Sequence, residues 1–177
     1  MLPPLLFGGL LMRILAFDIG GTEIKYALCD ENFNLTQSSS IPTNAHEGGR
    51  RIIERVVEII KTFDNVDRIG VSTAGQVNSV TGEIIFATDS IPGYTGVKIK
   101  EIIETEPGIP AAVENDVNSA AIGEAIFGAA KGCPDFICLT YGTGIGGAIF
   151  INGKLFTGSS FSAGEFGHFV THAGGKD

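Results

Sequence analysis

The stretch Glu114–Ala121, ENDVNSAA, lies at the junction between a predicted strand and a predicted helix. The apolar run at residues 109–113 precedes it and is typical of a buried strand. Residues 120–127 follow it, and their small and apolar side chains favour a closely packed helix. Ligands in open α/β sheets usually bind where a strand ends and a helix begins. The sequence therefore predicts an α/β fold with Asn115 and Asp116 at its binding edge.

Asp116 has two interpretations at this junction. As a helix N-cap, its side chain would accept hydrogen bonds from the first backbone N–H groups of the helix. As a general base, it would take a proton from a hydroxyl substrate, and Asn115 beside it would orient that hydroxyl. Two glycine-rich turns elsewhere in the chain favour the general base.

The composition sets limits on the class of protein. The 177 residues are enough for one medium domain or two small ones, and 44% hydrophobic with 18% charged residues can form a core. The net charge of −8, without a basic cluster, argues against nucleic acid as a partner. Three cysteines without CxxC spacing indicate reduced, buried thiols in a cytoplasmic protein.

The first eleven residues, 1–11, are apolar, but the run is too short to span a membrane and lacks the basic start of a signal peptide. We expect them to be a leader or an extension ahead of a natural start at Met12. The sequence predicts no membrane association.

Two glycine-rich turns each join a pair of predicted strands. The first is Gly20-Gly21-Thr22, with Asp18 at its edge. The second lies in residues 142–147, GTGIGG, and matches the dinucleotide fingerprint GxGxxG. That fingerprint must open a helix, whereas residues 148–151 form a predicted strand that runs into an Asn-Gly hairpin. A dinucleotide site is therefore rejected.

A single glycine turn is more often a tight hairpin than a ligand site. Two turns that follow buried strands and carry a threonine, Gly20–Thr22 and Gly142-Thr143-Gly144, favour a polyphosphate bound by backbone N–H groups and hydroxyls. Asp18 would then hold Mg²⁺, directly or through water, unless it is only a solvated carboxylate at a strand end.

Two further motifs carry candidate sugar ligands. Glu165 and His168, in SAGEFGH, are three residues apart, so a helical turn would place both beside the vicinal hydroxyls of a sugar. His168 alone would more often be a structural histidine. The loop Ala74-Gly75 follows the predicted strand 68–73, and glycine allows its backbone to approach a ligand closely.

Six segments resemble, in the same order, the ROK family of sugar kinases and related repressors. They are DIGGTEIKYAL at 18–28, STAGQVN at 72–78, IPGYTGV at 91–97, ENDVNSAAIGEA at 114–125, LTYGTGIGGAIF at 139–150 and SAGEFGH at 162–168. The resemblance implies the actin-like, hexokinase/Hsp70-type ATPase fold, in which two α/β lobes close on a cleft. Residues 12–118 would form a complete first lobe, and residues 119–177 the incomplete start of the second.

The resemblance also implies a function. The family transfers the γ-phosphoryl group of Mg-ATP to a hexose or N-acylhexosamine, with the 6-hydroxyl as the default acceptor, and a full-length member is expected to be a cytoplasmic homodimer. By resemblance Asp116 is the general base. The sugar ligands are Ala74, Gly75, Asn115, Asp116, Glu165 and His168. The phosphate ligands are Asp18, Gly20, Gly21, Thr22, Gly142, Thr143 and Gly144.

Two departures from the family pattern affect this expectation. Residues 1–11 cannot form the helix-turn-helix of the family's repressors. His168 matches a structural zinc ligand of the family, but its cysteine partners and the adenosine-binding segment are absent. We therefore expect the 177-residue chain to contain no stoichiometric zinc, to bind ATP poorly with little or no kinase activity, and to expose the apolar faces of strands at 136–141 and 148–156.

Two alternatives to the kinase remain. One is a non-catalytic sugar-binding or regulatory remnant of the same family. The other is an actin-like structural ATPase, which is less well supported because the pairs Asn115-Asp116 and Glu165-His168 suit a polyol ligand.

Overall fold

A computed structural model describes residues 12–142 and 144–170. It forms two compact units, of which the first ends at Glu114 and the second begins at Asn115. The predicted leader, 1–11, lies outside the described residues. The predicted lobe boundary after residue 118 stays a prediction.

A five-stranded sheet forms the centre of the first unit. Its strands are β1 Ile14–Ile19, β2 Glu23–Cys29, β3 Leu35–Pro42, β4 Arg68–Thr73 and β7 Ala111–Asn115. Their order is β3-β2-β1-β4-β7, and β1 pairs antiparallel with β2 but parallel with β4. A separate two-stranded sheet contains β5 Gln76–Asn78 and β6 Glu83–Phe86. The first three strands pair in chain order as an antiparallel meander.

One face of the five-stranded sheet is buried under helices. Leu15, Phe17 and Ile19 alternate along β1 and are at most 2% exposed. Helix α1, Gly49–Ile60, packs its apolar side on the same core, because its isoleucines and valines recur at helical spacing. Helix α2, Ile99–Thr105, adds Ile99 and Ile103 to that core.

The second unit contains one helix and a three-stranded sheet. Its elements are α3 Asp116–Phe127, β8 Phe136–Tyr141, β9 Ile145–Ile151, β10 Lys154–Phe156 and a short 3-10 helix, Phe166–His168. The sheet order is β10-β9-β8. The strand after the second glycine turn was predicted to begin at residue 148, which is wrong: β9 begins at Ile145. The motif is nevertheless strand–turn–strand, so the rejection of a dinucleotide fingerprint is confirmed.

The two faces of this second sheet differ in burial. Ala148, Phe150 and Ala121 of α3 form a small core, on which Phe136 and Cys138 also pack. On the opposite face Ile137, Leu139 and Tyr141 are 60%, 63% and 92% exposed. Ile145, Ile151 and Phe156 add to that exposed face. The expected exposure of apolar strand faces is therefore confirmed.

The three cysteines are free thiols. Cys29 is buried and Cys138 is half-buried, and burial raises the pKa of both thiols. The prediction of a buried thiol at Cys133 is wrong, because that residue lies in the exposed connector between α3 and β8. Within the described ranges, no helix has the length and apolarity needed to cross a membrane.

Candidate active site

The first glycine turn, Gly20–Thr22, connects β1 to β2 and is held through two of its carbonyl groups. Thr43, which follows β3, donates its hydroxyl to Gly20 O at 2.6 Å and its backbone N–H to Thr22 O at 2.8 Å. Gly21 and Thr22 are exposed, and their backbone N–H groups donate to no group among the described residues. The turn therefore presents backbone donors to solvent, the arrangement that binds phosphate oxygens.

Asp18 lies in β1 immediately before this turn. Its side chain is on the face opposite the buried Phe17 and accepts a hydrogen bond from the Ser72 hydroxyl at 3.2 Å. Asp18 and its register partner Lys25 both line a groove of about 470 Å³. The described residues contain no group of three or more His, Cys, Asp or Glu side chains that could hold a metal ion. One carboxylate still fits Mg²⁺, because that ion commonly takes its remaining ligands from phosphates and water.

The Ala74-Gly75 loop lies at the same edge of the sheet as the first glycine turn. The parallel register pairs Ile19 with Thr73, and Ala74 donates its N–H to Ile19 O at 3.4 Å. Gly75 has a φ of 95°, and a Cβ there would lie 2.9 Å from Phe86 O. The backbone conformation and this close approach both explain why residue 75 is glycine. The structure thus brings two of the predicted ligand loops together.

Asn115 and Asp116 form the N-terminus of α3. The interpretation of Asp116 as the N-cap is wrong, because Asn115 is the cap: its Oδ1 accepts from the N–H groups of Val117 and Asn118 at 2.9 and 3.1 Å. The extended backbone of Asn115 allows this, whereas Asp116 is already helical. Asp116 Oδ1 accepts from Asn115 Nδ2 at 2.8 Å and from Val117 N at 2.9 Å. Its carboxylate is therefore fixed in an exposed position.

The start of β9 joins three of the predicted motifs within the second unit. A Cβ at Gly146 would collide with Val117 of α3, and a Cβ at Gly147 would collide with the ring of Phe166. Because neighbouring strand residues point to opposite faces, α3 and the segment around Phe166 pack on opposite sides of β9. The glycines thus allow the Asp116 helix and the 165–168 segment to approach the same strand.

Glu165 and His168 lie at the two ends of the short 3-10 turn. His168 Nε2 is 3.9 Å from Glu165 Oε2, and both side chains are exposed. The turn closes through the His168 N–H, which donates to Glu165 O at 3.3 Å. The predicted proximity of these two side chains is therefore present. A zinc site at His168 is not supported by other metal ligands in the described part of the chain.

The second glycine turn is described in part. Gly142 donates its N–H to Gly144 O at 3.0 Å, and both glycines are exposed. Thr143, which was predicted to bind phosphate, lies outside the described residues. The role of this turn therefore stays a prediction.

Three residues that support the candidate ligands were not predicted from the sequence. Thr43 holds the first glycine turn, Ser72 donates to Asp18, and the Tyr94 hydroxyl lies 2.6 Å from that of Thr73, directly before Ala74. Ser72 lies in the STAGQVN motif and Tyr94 in the IPGYTGV motif, but neither side chain was assigned a role. Thr43 lies in none of the six motifs.

The fold is that of the actin-like ATPases, as predicted. Its first unit has a five-stranded mixed sheet with the glycine turn Gly20–Thr22 between the first two strands. This chain belongs to the ROK family, whose model matches residues 14–176.

Known relatives include sugar kinases. A beta-glucoside kinase of Listeria monocytogenes is 39% identical over 93% of this chain and 55% of its own length. A glucokinase of Streptomyces coelicolor is 38% identical over 85% of this chain and 47% of its own length. The chain therefore spans about half the length of these curated relatives.

The chain is also similar to the solved structure of a glucokinase. The crystal structure of a ROK family glucokinase from Streptomyces griseus, in complex with glucose and AMPPNP, is 33% identical and superposes with a TM-score of 0.79. The similarity covers 90% of this chain and 51% of the glucokinase.

Proposed function

We propose that this protein takes part in the ATP-dependent phosphorylation of a hexose or N-acylhexosamine, with the 6-hydroxyl as acceptor. The observation that carries the proposal is the pairing of Gly20–Thr22 with Ala74-Gly75 on adjoining ends of β1 and β4. The first loop offers exposed N–H groups to phosphate, and the second offers close backbone approach to a sugar. The relatives named beta-glucoside kinase and glucokinase, and the glucokinase bound to glucose and AMPPNP, support this assignment.

Asp116 is the proposed general base. Its carboxylate is exposed and is oriented by Asn115 Nδ2 and by the Val117 N–H. The ionised carboxylate would accept the proton of the sugar hydroxyl as that oxygen attacks phosphorus. Asn115, Glu165 and His168 are the proposed hydrogen-bonding partners of the other hydroxyls. The exposed polar side chains of Glu165 and His168 are suited to that role.

Asp18 and the glycine turns are assigned to the nucleotide. Asp18 would hold Mg²⁺ through its carboxylate or a water, and the ion would neutralise charge on the transferred phosphoryl group. Gly20, Gly21 and Thr22, together with Gly142, Thr143 and Gly144, would bind phosphate oxygens. ATP as co-substrate favours the cytoplasm, and a homodimer is proposed for a full-length member.

The test is a coupled ATP-turnover assay on a purified full-length form of the protein, because the 177-residue chain is expected to bind ATP poorly, with a panel of hexoses and N-acylhexosamines and calorimetric titration of each sugar. Sugar-dependent ADP release is expected with at least one of them. Sugar binding without ADP release would instead support the alternative, a non-catalytic sugar-binding remnant. ADP release without dependence on any sugar would contradict both.

A further inference from the structure

Thr43 makes two hydrogen bonds to a single glycine turn. Its side chain is fully buried, its hydroxyl donates to Gly20 O at 2.6 Å, and its backbone N–H donates to Thr22 O at 2.8 Å. Since Gly20 N–H also donates to Glu23 O at 3.0 Å, the turn is bonded on its inner side at three points. Thr43 supplies two of these bonds from a distant part of the sequence.

Thr43 is itself held by a residue of helix α1. Arg55 Nη1 donates to the Thr43 carbonyl at 2.7 Å, and the same guanidinium pairs with Glu47. The Arg55 side chain is only 12% exposed, so this contact is largely protected from solvent. A continuous series of hydrogen bonds thus runs from the core helix through Thr43 to the turn.

The Gly20 carbonyl determines where one of the outward donors points. In a trans peptide the C=O of Gly20 and the N–H of Gly21 point in opposite directions within one plane. The Thr43 hydroxyl holds the Gly20 oxygen inward, so the Gly21 N–H is directed outward. Gly21 itself is exposed and has no side chain to restrain it.

We propose that Thr43 is a positioning residue for nucleotide phosphate: its hydroxyl fixes the Gly20–Gly21 peptide so that the Gly21 N–H is aimed at a phosphate oxygen before ligand binds. This inference rests on the proposed function, because it assumes that Gly20–Thr22 is a phosphate turn. A preformed donor requires no reorganisation on binding, so losing the Thr43 hydroxyl would weaken phosphate binding specifically.

The discriminating variants are Thr43→Val, which keeps the shape and removes the hydroxyl, and Thr43→Ser, which keeps the hydroxyl. Thr36→Val is the matched control, because the Thr36 hydroxyl also donates to a backbone carbonyl, that of Leu28 at 3.1 Å, away from the turn. The expected result, in a full-length form of the protein, is a rise of about fivefold to tenfold in the KM for Mg-ATP in Thr43→Val, with the sugar KM unchanged. Thr43→Ser and Thr36→Val should stay close to wild type.

A second measurement separates this inference from the proposed function. Backbone ¹⁵N relaxation should show a lower order parameter at Gly21 in Thr43→Val, but not in Thr43→Ser or Thr36→Val. Absence of sugar-dependent turnover in the wild type would contradict the proposed function, and the Gly21 order parameter would still decide whether Thr43 positions the turn. An unchanged Gly21 order parameter in a folded Thr43→Val protein, or an equal rise of both KM values, would overturn the proposal.

Discussion

The Tyr94 hydroxyl lies 2.6 Å from the Thr73 hydroxyl in the interior of the first unit. Tyr94 is 1% exposed and Thr73 is fully buried, so neither hydroxyl can exchange this partner for water. Thr73 is the last residue of β4 and directly precedes the Ala74-Gly75 loop. The hydrogen bond therefore links the segment 91–97 to the strand that carries a proposed sugar-binding loop.

We expect Tyr94→Phe to lower the free energy of unfolding by about 1 kcal/mol, because one buried hydrogen bond is lost while the ring is kept. Urea denaturation followed by circular dichroism would measure the change. Tyr26→Phe is the control, since Tyr26 is only half-buried and packs mainly through its ring, near Phe17 and Phe63. Equal stability of Tyr94→Phe and the wild type would show that the hydrogen bond contributes nothing.

The same tyrosine makes stability depend on alkaline pH. Burial raises the pKa of Tyr94 to about 12, and the hydrogen bond with Thr73 opposes that rise. In the unfolded chain a tyrosine has a pKa of about 10. The contribution of Tyr94 to the stability of the fold is therefore complete below that pH and is lost as the pH rises towards the pKa in the folded protein. We expect the free energy of unfolding to fall between about pH 10 and pH 12, at a rate of at most about 1.4 kcal/mol per pH unit from this group.

The control for this pH dependence is the Tyr94→Phe variant. It should retain the contributions of the other titrating groups and lack that of Tyr94, so the difference between the two denaturation curves isolates the one residue. Parallel pH profiles for the two proteins would contradict the expectation.

Replacing Asp18 with alanine should weaken the productive use of Mg-ATP. Asp18 is the proposed ligand of Mg²⁺ and lies beside the proposed phosphate turn, so we expect a higher KM for Mg-ATP and a lower kcat, with sugar affinity retained. Steady-state kinetics at varied Mg²⁺, with calorimetric titration of the sugar, would measure both. Ser72→Ala serves as a milder comparison, because it removes only the donor to Asp18. A loss of sugar affinity as large as the loss of ATP use, in a folded protein, would show that Asp18 is assigned to the wrong substrate.

In any full-length version of this protein, Asp116→Asn should reduce kcat by about two to four orders of magnitude, because an amide cannot accept the substrate proton. Sugar binding should change little, since the asparagine oxygen can still accept the Val117 N–H that now holds Asp116. The measurement is kcat in the coupled assay together with sugar Kd. Asp64→Asn, at an exposed turn after α1, is the matched charge control. Turnover near the wild-type value in Asp116→Asn would remove this carboxylate from the mechanism.

Much of the fold follows from local sequence pattern, and the exceptions have physical causes. A short apolar, β-favouring run identifies β1, and 3.6-residue periodicity identifies α1 because that helix has one buried side. The start of β9 was placed too late because glycine has low strand propensity. Gly146 and Gly147 occur in that strand because α3 and Phe166 pack against its two faces. Local propensity carries no information on such contacts.

The loops that carry the candidate ligands could be predicted from the sequence, whereas the residues that hold those loops in place could not. Motif order identified the loops at Gly20, Ala74 and Asn115, since each follows a predicted strand. Thr43 could not be found in this way, because its partner Gly20 O is 23 residues distant and the contact exists only once β3 has paired with β2. The cap at α3 was ambiguous because Asn115 and Asp116 are both good N-cap residues, and only the backbone conformation distinguishes them.

The exposed face of the sheet β8–β10 should make the 177-residue chain self-associate. Ile137, Leu139 and Tyr141 lie in a row on β8, with Ile145 and Phe156 on the same face of the neighbouring strands, and each is at least 48% exposed. A contiguous apolar face of this kind is unfavourable in water and promotes association. We expect multi-angle light scattering to show species larger than a monomer at micromolar concentration.

The double variant Ile137→Thr with Leu139→Thr should shift that distribution towards monomer, because threonine keeps strand propensity while removing apolar surface. Val80→Thr is the control, as Val80 is 72% exposed but belongs to the first unit and not to this sheet. A monodisperse wild-type monomer would contradict the prediction directly. Association that is unchanged in the double variant and reduced in Val80→Thr would place the contact on the first unit, because only that variant alters its surface.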